Sequence, residues 1–288
     1  MGILREKMLR DMSVRNFAAN TVESYLRSVR DLAKHYMISP DRLTQEQLLD
    51  YIYFLIKERK LASGSINAVT AGLRFFYKET MGMEDLAMAI PPRKTPRKLP
   101  EILSAGELSK LFSVISNQKH RVMLMTAYAA GLRISEVINL KVGNIDSGRM
   151  SIQIKNSKGR KDRYTILSPR LLFELRAYWN NYRPKDILFP SPVKDGPLDR
   201  AAPSLAFRKY KDKAEITKAV TFHSLRHTFA TNLLEAGADI RTIQILLGHS
   251  SITSTAIYLH VARQDLGSIS SPLDLIDLSA LDRFKVQQ

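Results

Sequence analysis

The sequence predicts a mainly α protein of two helical domains with one small β-hairpin or sheet. Three observations carry this. Apolar residues fall at spacings of three and four through most of the chain, the period of a helix with one buried face. Residues 150–167 alone switch to alternation about a glycine turn. The helical pattern also stops at PPRKTPRKLP, residues 91–100, where four prolines break helix and favour an extended path.

Before that break, residues 1–90 read as a small helical bundle. Residues 3–16 form one helix. Residues 20–36 form a second, with Val22, Tyr25, Leu26, Val29, Leu32 and Ala33 on one stripe. A third opens at Thr44 with Gln47 as its capping-box partner, and its stripe runs through Leu48, Ile52, Leu55 and Ile56. A fourth starts near Ser65 and carries Ile66, Val69, Leu73, Phe76 and Tyr77. The bundle holds no catalytic constellation, and its aromatics are assigned to its core.

After the break, Ser104 and Glu107 form a second capping box, and the apolar stretch VMLMTAYAAGL leads to Gly131. MSIQIK and RYTIL read as two strands joined by the turn NSKGRK. Lys155, Lys158, Arg160, Lys161 and Arg163 lie at or near the tip of that hairpin. Helices resume around 169–181, 204–213, 223–236 (ended by Gly237), 239–247 and 251–262.

Composition narrows the partner. Lys plus Arg number 44 against 28 Asp plus Glu, a net +16 over 288 residues. The bundle holds only +2 of this, the linker +4 and the remainder +10. Such an excess points to a polyanion, and nucleic acid is the leading candidate because each neutralised phosphate releases counterions. Cysteine is absent, which excludes disulfides, thiolate metal sites and a thiol nucleophile. The longest apolar run, YIYFLI, is far short of the ~20 residues of a membrane span. The first residues lack a secretory h-region. The expectation is a soluble cytoplasmic protein, associated with the nucleoid, with no membrane contact.

Six residues of the second half supply phosphoryl-transfer chemistry: Arg133, Lys158, His223, Arg226, His249 and Tyr258. Two guanidiniums can clamp non-bridging phosphate oxygens. A phenol can attack phosphorus, while Lys or His moves protons to and from bridging oxygens. In GLRISEV, Arg133 and Glu136 share a helical face at i and i+3, so the carboxylate can orient the guanidinium. In HSLRH, His223 and Arg226 share a face and can reach one phosphate. His227 invites a zinc reading, but Ser224 stands where a zincin has Glu and no further ligand follows, so His227 is assigned to packing and hydrogen bonding and no metal is expected. Gly248 permits a tight exit that aims His249 inward. Tyr258, between Ile257 and Leu259, would by default be core, and its ordinary pKa near 10 demands a neighbouring base or cations.

The ordered set Arg133, Lys158 on a hairpin, His223-Ser-Leu-Arg226, Leu-Gly-His249 and Tyr258 resembles the tyrosine recombinases, the integrase family that includes the Xer and phage-integrase proteins. The resemblance spans residues 100–262 closely, and the bundle plus linker resembles the family's SAM-like core-binding domain. It implies a C-shaped clamp on double-stranded DNA, with a catalytic domain at 101–264. Tyr258 would form a 3′-phosphotyrosyl link. Arg133 and Arg226 would bind the phosphate, Lys158 would protonate the leaving 5′-oxygen, His223 would assist proton removal and His249 would hydrogen-bond the phosphate. No cofactor, ATP or metal is implied. Arg93, Lys94, Arg97, Lys98, Arg160 and Lys161 are candidate DNA contacts. The implied assembly is a homotetramer on two DNA sites, or a mixed assembly with a second recombinase. The residues alone leave open a nicking-closing topoisomerase and a non-cleaving DNA binder.

Beyond Tyr258 the chain lacks the His-Pro-Arg element of Xer proteins and resembles integrases of mobile elements. Integration or excision of such an element is therefore expected ahead of Xer-like dimer resolution. Residues 265–288 hold four acids against two bases, with Leu273, Leu275, Ile276, Leu278 and Leu281 among them. This tail is expected to dock on a neighbouring protomer.

Overall fold

A computed structural model describes residues 2–93, 99–155, 162–193 and 196–262. The chain divides into two compact units, Met1–Arg97 and Lys98–Gln288.

The first unit is helical. It comprises α1 (Gly2–Val14), α2 (Ala19–Tyr36), α3 (Gln45–Lys57), α4 (Ser63–Phe75) and α5 (Glu84–Ala89). The Thr44–Gln47 capping box forms in both directions and satisfies two donors that the start of α3 would otherwise orphan. Val29, Leu32, Leu48, Ile52, Ile66 and Leu73 meet in one core with Met8, Met12, Phe76 and Tyr77. Tyr77 donates to the Pro40 carbonyl at 2.8 Å, so this phenol is a core group. After α4 the backbone loosens into a π-helical turn, Phe76–Met81, which the apolar stripe alone does not reveal. The expected core role of the bundle's aromatics matches Tyr51, Phe76 and Tyr77; Tyr53 stays exposed.

The second unit runs α6 (Ala105–Ser113), α7 (Gln118–Ala129), α8 (Ile134–Ile138), β1 (Ile145–Asp146), β2 (Ser151–Ile154), β3 (Arg163–Ile166), α9 (Pro169–Tyr182), α10 (Ala202–Lys213), α11 (Phe222–Glu235), α12 (Ile240–Leu247) and α13 (Thr253–Ala256). The expected hairpin exists, with β2 and β3 antiparallel and Ile152 opposite Thr165. It gains β1 as a third strand, in the order β1-β2-β3. Leu111, Val122, Leu124, Val137, Ile152, Leu175, Tyr178, Phe207 and Leu225 share the main core. A smaller cluster joins Phe229, Ile243 and Leu247 to Tyr258. Tyr258 itself sits on a 3₁₀ turn, Ile257–His260, where a continuous helix over 251–262 was expected. Among the described residues no helix is long and apolar enough to cross a membrane.

Candidate active site

The site begins where α7 ends. Gly131 takes a left-handed φ of 62°, and a Cβ there would lie 2.4 Å from the Phe229 ring, so only glycine fits. This turn delivers Arg133 to the N-cap of α8. Its backbone N–H donates to Glu136 Oε2 at 2.8 Å and its Nη1 to Oε1 at 2.8 Å. The expected i, i+3 pair therefore forms, but it is no surface pair.

Glu136 is buried at 8 % exposure and collects further guanidiniums. Arg163, pointing inward from β3, donates Nη1 and Nη2 to its two oxygens at 2.7 and 2.9 Å. Arg226 Nη1 lies 3.7 Å from Oε2. Burial pushes the carboxyl up, but the Arg163 bonds and charge, with Arg133 and Arg226, outweigh it and bring the pKa to about 2.

Arg226, on α11, is 1 % exposed and donates to the carbonyls of Gly131 at 2.7 Å and Leu247 at 2.6 Å. Those acceptors close α7 and α12, so the guanidinium ties three elements to one point. Burial, then the Arg133 cation, pulls its pKa down to about 9, and the group remains charged at neutral pH.

Asp239 caps α12 by accepting from the Arg241 and Thr242 amides. The helix ends at Gly248, whose φ is 64° and where a Cβ would meet Arg163 Cδ at 2.8 Å. That exit sets His249 in the site, with Nδ1 2.9 Å from Thr255 Oγ1. Burial and the cations Arg226, Arg133 and Arg163, together with His223, lower its pKa to about 4, so the ring is neutral.

Tyr258 is 2 % exposed, and its Oη lies 3.1 Å from His227 Nδ1. Burial raises the phenol, while Arg226 and Arg133 pull the other way. Burial, then His223 and Arg226, lowers His227 to about 4. His223 meets His227 edge-on, with ring centroids 4.7 Å apart, and its pKa is lowered by desolvation and by Arg226 and Arg133. The ring touching the phenol is thus His227, expected from the sequence to pack and hydrogen-bond but not beside Tyr258, while His223 stands one ring further out.

Five of the six sequence-predicted chemical residues converge here: Arg133, His223, Arg226, His249 and Tyr258. Lys158 lies outside the described residues, as do Arg160, Lys161, Lys94, Arg97, Lys98 and the tail 265–288. Arg93 is half-buried, its carbonyl accepts from Asn67 at 3.3 Å, and its Nη1 has no partner among the described residues. Arg163 and Thr255 were not singled out for the site. Three guanidiniums around one carboxylate leave a net positive pocket beside a phenol, suited to an anion that gains charge as it reacts. Among the described residues no cluster of His, Asp or Glu is built to hold a metal ion.

Residues 101–265 match the phage integrase family, and residues 4–84 match the SAM-like N-terminal domain of phage integrases. The chain is 47 % identical over 277 residues to a Sinorhizobium fredii protein named "Putative integrase/recombinase y4qK", covering 96 % of this chain and 90 % of that one. It is 34 % identical to the tyrosine recombinase XerA of Pyrococcus horikoshii, over 79 % of this chain and 81 % of XerA. A lambda integrase dimer bound to a COC′ core site shares its fold at a TM-score of 0.74 and 18 % identity, covering 96 % of this chain and 99 % of that one.

Proposed function

From a chain that belongs to the phage integrase family and is a tyrosine recombinase, we propose a site-specific enzyme that cuts and rejoins duplex DNA at the pocket around Tyr258. Tyr258 Oη attacks phosphorus and the bond to the 5′-oxygen breaks, leaving a 3′-phosphotyrosyl ester and a free 5′-hydroxyl. The phenolic proton passes to the His227–His223 pair, whose nearer nitrogen is 3.1 Å away. Lys158 protonates the leaving oxygen. Arg133 and Arg226 hold the non-bridging oxygens and stabilise the charge of the pentacovalent state, and His249 donates to the same phosphate. A 5′-hydroxyl from another strand reverses the sequence and rejoins DNA. One ester replaces another, so neither ATP nor a metal is consumed in the balance.

The observation that carries this reading is a buried phenol at hydrogen-bond distance from an imidazole, beside two arginines that share Glu136. Residues 1–90 and the cations Arg93, Lys94, Arg97, Lys98, Arg160 and Lys161 are the proposed DNA-backbone contacts. The working unit is a homotetramer on two sites, or a mixed assembly with a second recombinase, in the cytoplasm at the nucleoid. Integration or excision of a mobile element is the first biological role, supported by the missing His-Pro-Arg element after Tyr258. Xer-like dimer resolution is second, supported by the 34 % identity to XerA.

The test is recovery and sequencing of DNA covalently attached to the protein in cells, with Tyr258→Phe as control. One sharp cluster of sequences, lost in Y258F while DNA affinity persists, is expected. A scatter of sites would indicate topoisomerase-like relaxation, and no adduct at all would indicate a non-cleaving binder.

A further inference from the structure

We infer that Thr255 is a positioning residue that fixes the tautomer of His249, so that the neutral ring carries its single proton on Nε2. The Thr255 side chain is fully buried, and its Oγ1 lies 2.9 Å from His249 Nδ1. A hydroxyl can donate or accept, and so can a neutral imidazole nitrogen, so the direction of this bond decides which ring nitrogen holds the proton.

Two considerations set that direction. First, the hydroxyl has no second acceptor among the described residues. If Nδ1–H donated to it, the Thr255 proton would be buried without a partner, which is costly away from water. If Thr255 donates to Nδ1, the hydroxyl proton and Nδ1 satisfy each other. Second, the ring is anchored from the opposite end by its own backbone. The His249 carbonyl accepts from Gln244 Nε2 at 3.0 Å and its amide donates to the Gln244 carbonyl at 3.1 Å. With backbone and Nδ1 both held, Nε2 is the ring nitrogen without a protein partner among the described residues.

Placement adds a mechanical consequence. Thr255 stands on α13, three residues before Tyr258 and continuous with its 3₁₀ turn. The residue that sets the imidazole is therefore carried on the nucleophile's own segment. A neutral His249 has one N–H to offer; the Thr255 bond directs it to Nε2 and away from α13. That the recipient is the scissile phosphate rests on the proposed recombinase reaction.

The test separates the two layers. Histidine ¹⁵N chemical shifts, with the His249 signals assigned by their loss in His249→Gln, report the tautomer of the full chain without DNA. The parent is expected to show protonated Nε2 and bare Nδ1. Thr255→Val should convert this to a mixture, and Thr255→Ser should keep it; Thr255→Ala replaces the valine variant if that one does not fold. Single-turnover cleavage of a duplex recovered from the covalent adducts should fall in T255V toward the level of H249Q, by ~10-fold or more within the ~10²–10³ a lost oxyanion donor can cost. T255S should remain near the parent. A parent ring protonated on Nδ1, or a T255V ring with unchanged shifts, overturns the assignment. A shifted tautomer with parental cleavage overturns the positioning role. A parent that forms no Tyr258 adduct refutes the recombinase reading and leaves the tautomer assignment standing.

Discussion

Arg163 grips both oxygens of Glu136, at 2.7 and 2.9 Å, from a strand whose neighbouring apolar side chains face outward. Its Nε also donates to the Leu246 carbonyl at 2.8 Å. The hairpin, α8 and the end of α12 are thereby joined at one carboxylate. Both side chains are almost fully buried, so solvent does little to soften the loss of either one.

Removing one partner of that pair is expected to cost up to ~3–5 kcal/mol, because it takes the bidentate counter-charge from a buried group. Arg163→Met strands Glu136 against two remaining arginines; Glu136→Ala strands three arginines against one another. Denaturant titration should show the larger loss for E136A. The double variant should recover part of the deficit, and strict additivity of the two would contradict direct coupling.

Acid stability follows from the same groups. Glu136 has a folded pKa of about 2 against 4.5 for the free side chain. A depressed carboxyl stabilises the fold above the unfolded value, and that contribution is lost as pH falls from 4.5 toward 2. The shift corresponds to ~3 kcal/mol. His227 and His249 are lowered from 6.5 to about 4, so the unfolded chain takes up their protons first. Stability should therefore begin to decline below pH 6.5, then fall further below pH 4.5. Thermal melts across pH 3–8 check this, and His249→Gln should shrink the upper step, to which His227 still contributes, and leave the lower one unchanged.

The helices were legible because their signals are local. Thr44 with Gln47 and Ser104 with Glu107 cap the elements that their sequences announce. The convergence of Arg133, Arg226 and His249 was legible because their motifs stand in a telling order along the chain. Arg163 was not legible as a site residue. In RYTIL, alternation alone would bury Tyr164 and Ile166, yet the fold exposes both and turns Arg163 and Thr165 inward. The reason is tertiary: the buried Glu136 carboxylate compensates the inward guanidinium, and the Ala130 carbonyl accepts from Thr165. His227 was legible as a packing and hydrogen-bonding histidine but its partner was not, since contact with Tyr258 depends on how α11 meets the turn thirty-one residues later.

Two glycines should tolerate no side chain. Gly131→Ala places a methyl 2.4 Å from Phe229, and Gly248→Ala places one 2.8 Å from Arg163 Cδ, both at left-handed φ. The first meets a packed ring and should lower stability by ~1–3 kcal/mol, as overpacking does. The second meets a side chain engaged with Glu136, so it should also reduce adduct formation. Melting temperature and adduct yield, measured together, separate the cases: G248A should lose more adduct per degree of Tm than G131A.

The apolar and acidic tail, residues 265–288, offers the last prediction. Its four acids against two bases make it a poor grip on DNA, and five aliphatic residues at 273–281 give it a surface to bury elsewhere. If that surface docks on a neighbouring protomer, deleting residues 266–288 leaves the pocket of Arg133, Arg226, His249 and Tyr258 intact. Cleavage of a duplex bearing one site should then stay near the parental rate. Binding to paired sites should lose its cooperativity, because each protomer has lost a contact that only a neighbour supplies. Titration of the truncated chain on one-site and two-site duplexes, beside single-site cleavage, reads both quantities. Retained cooperativity would exclude the tail as the protomer contact, and lost single-site cleavage would place it within its own domain.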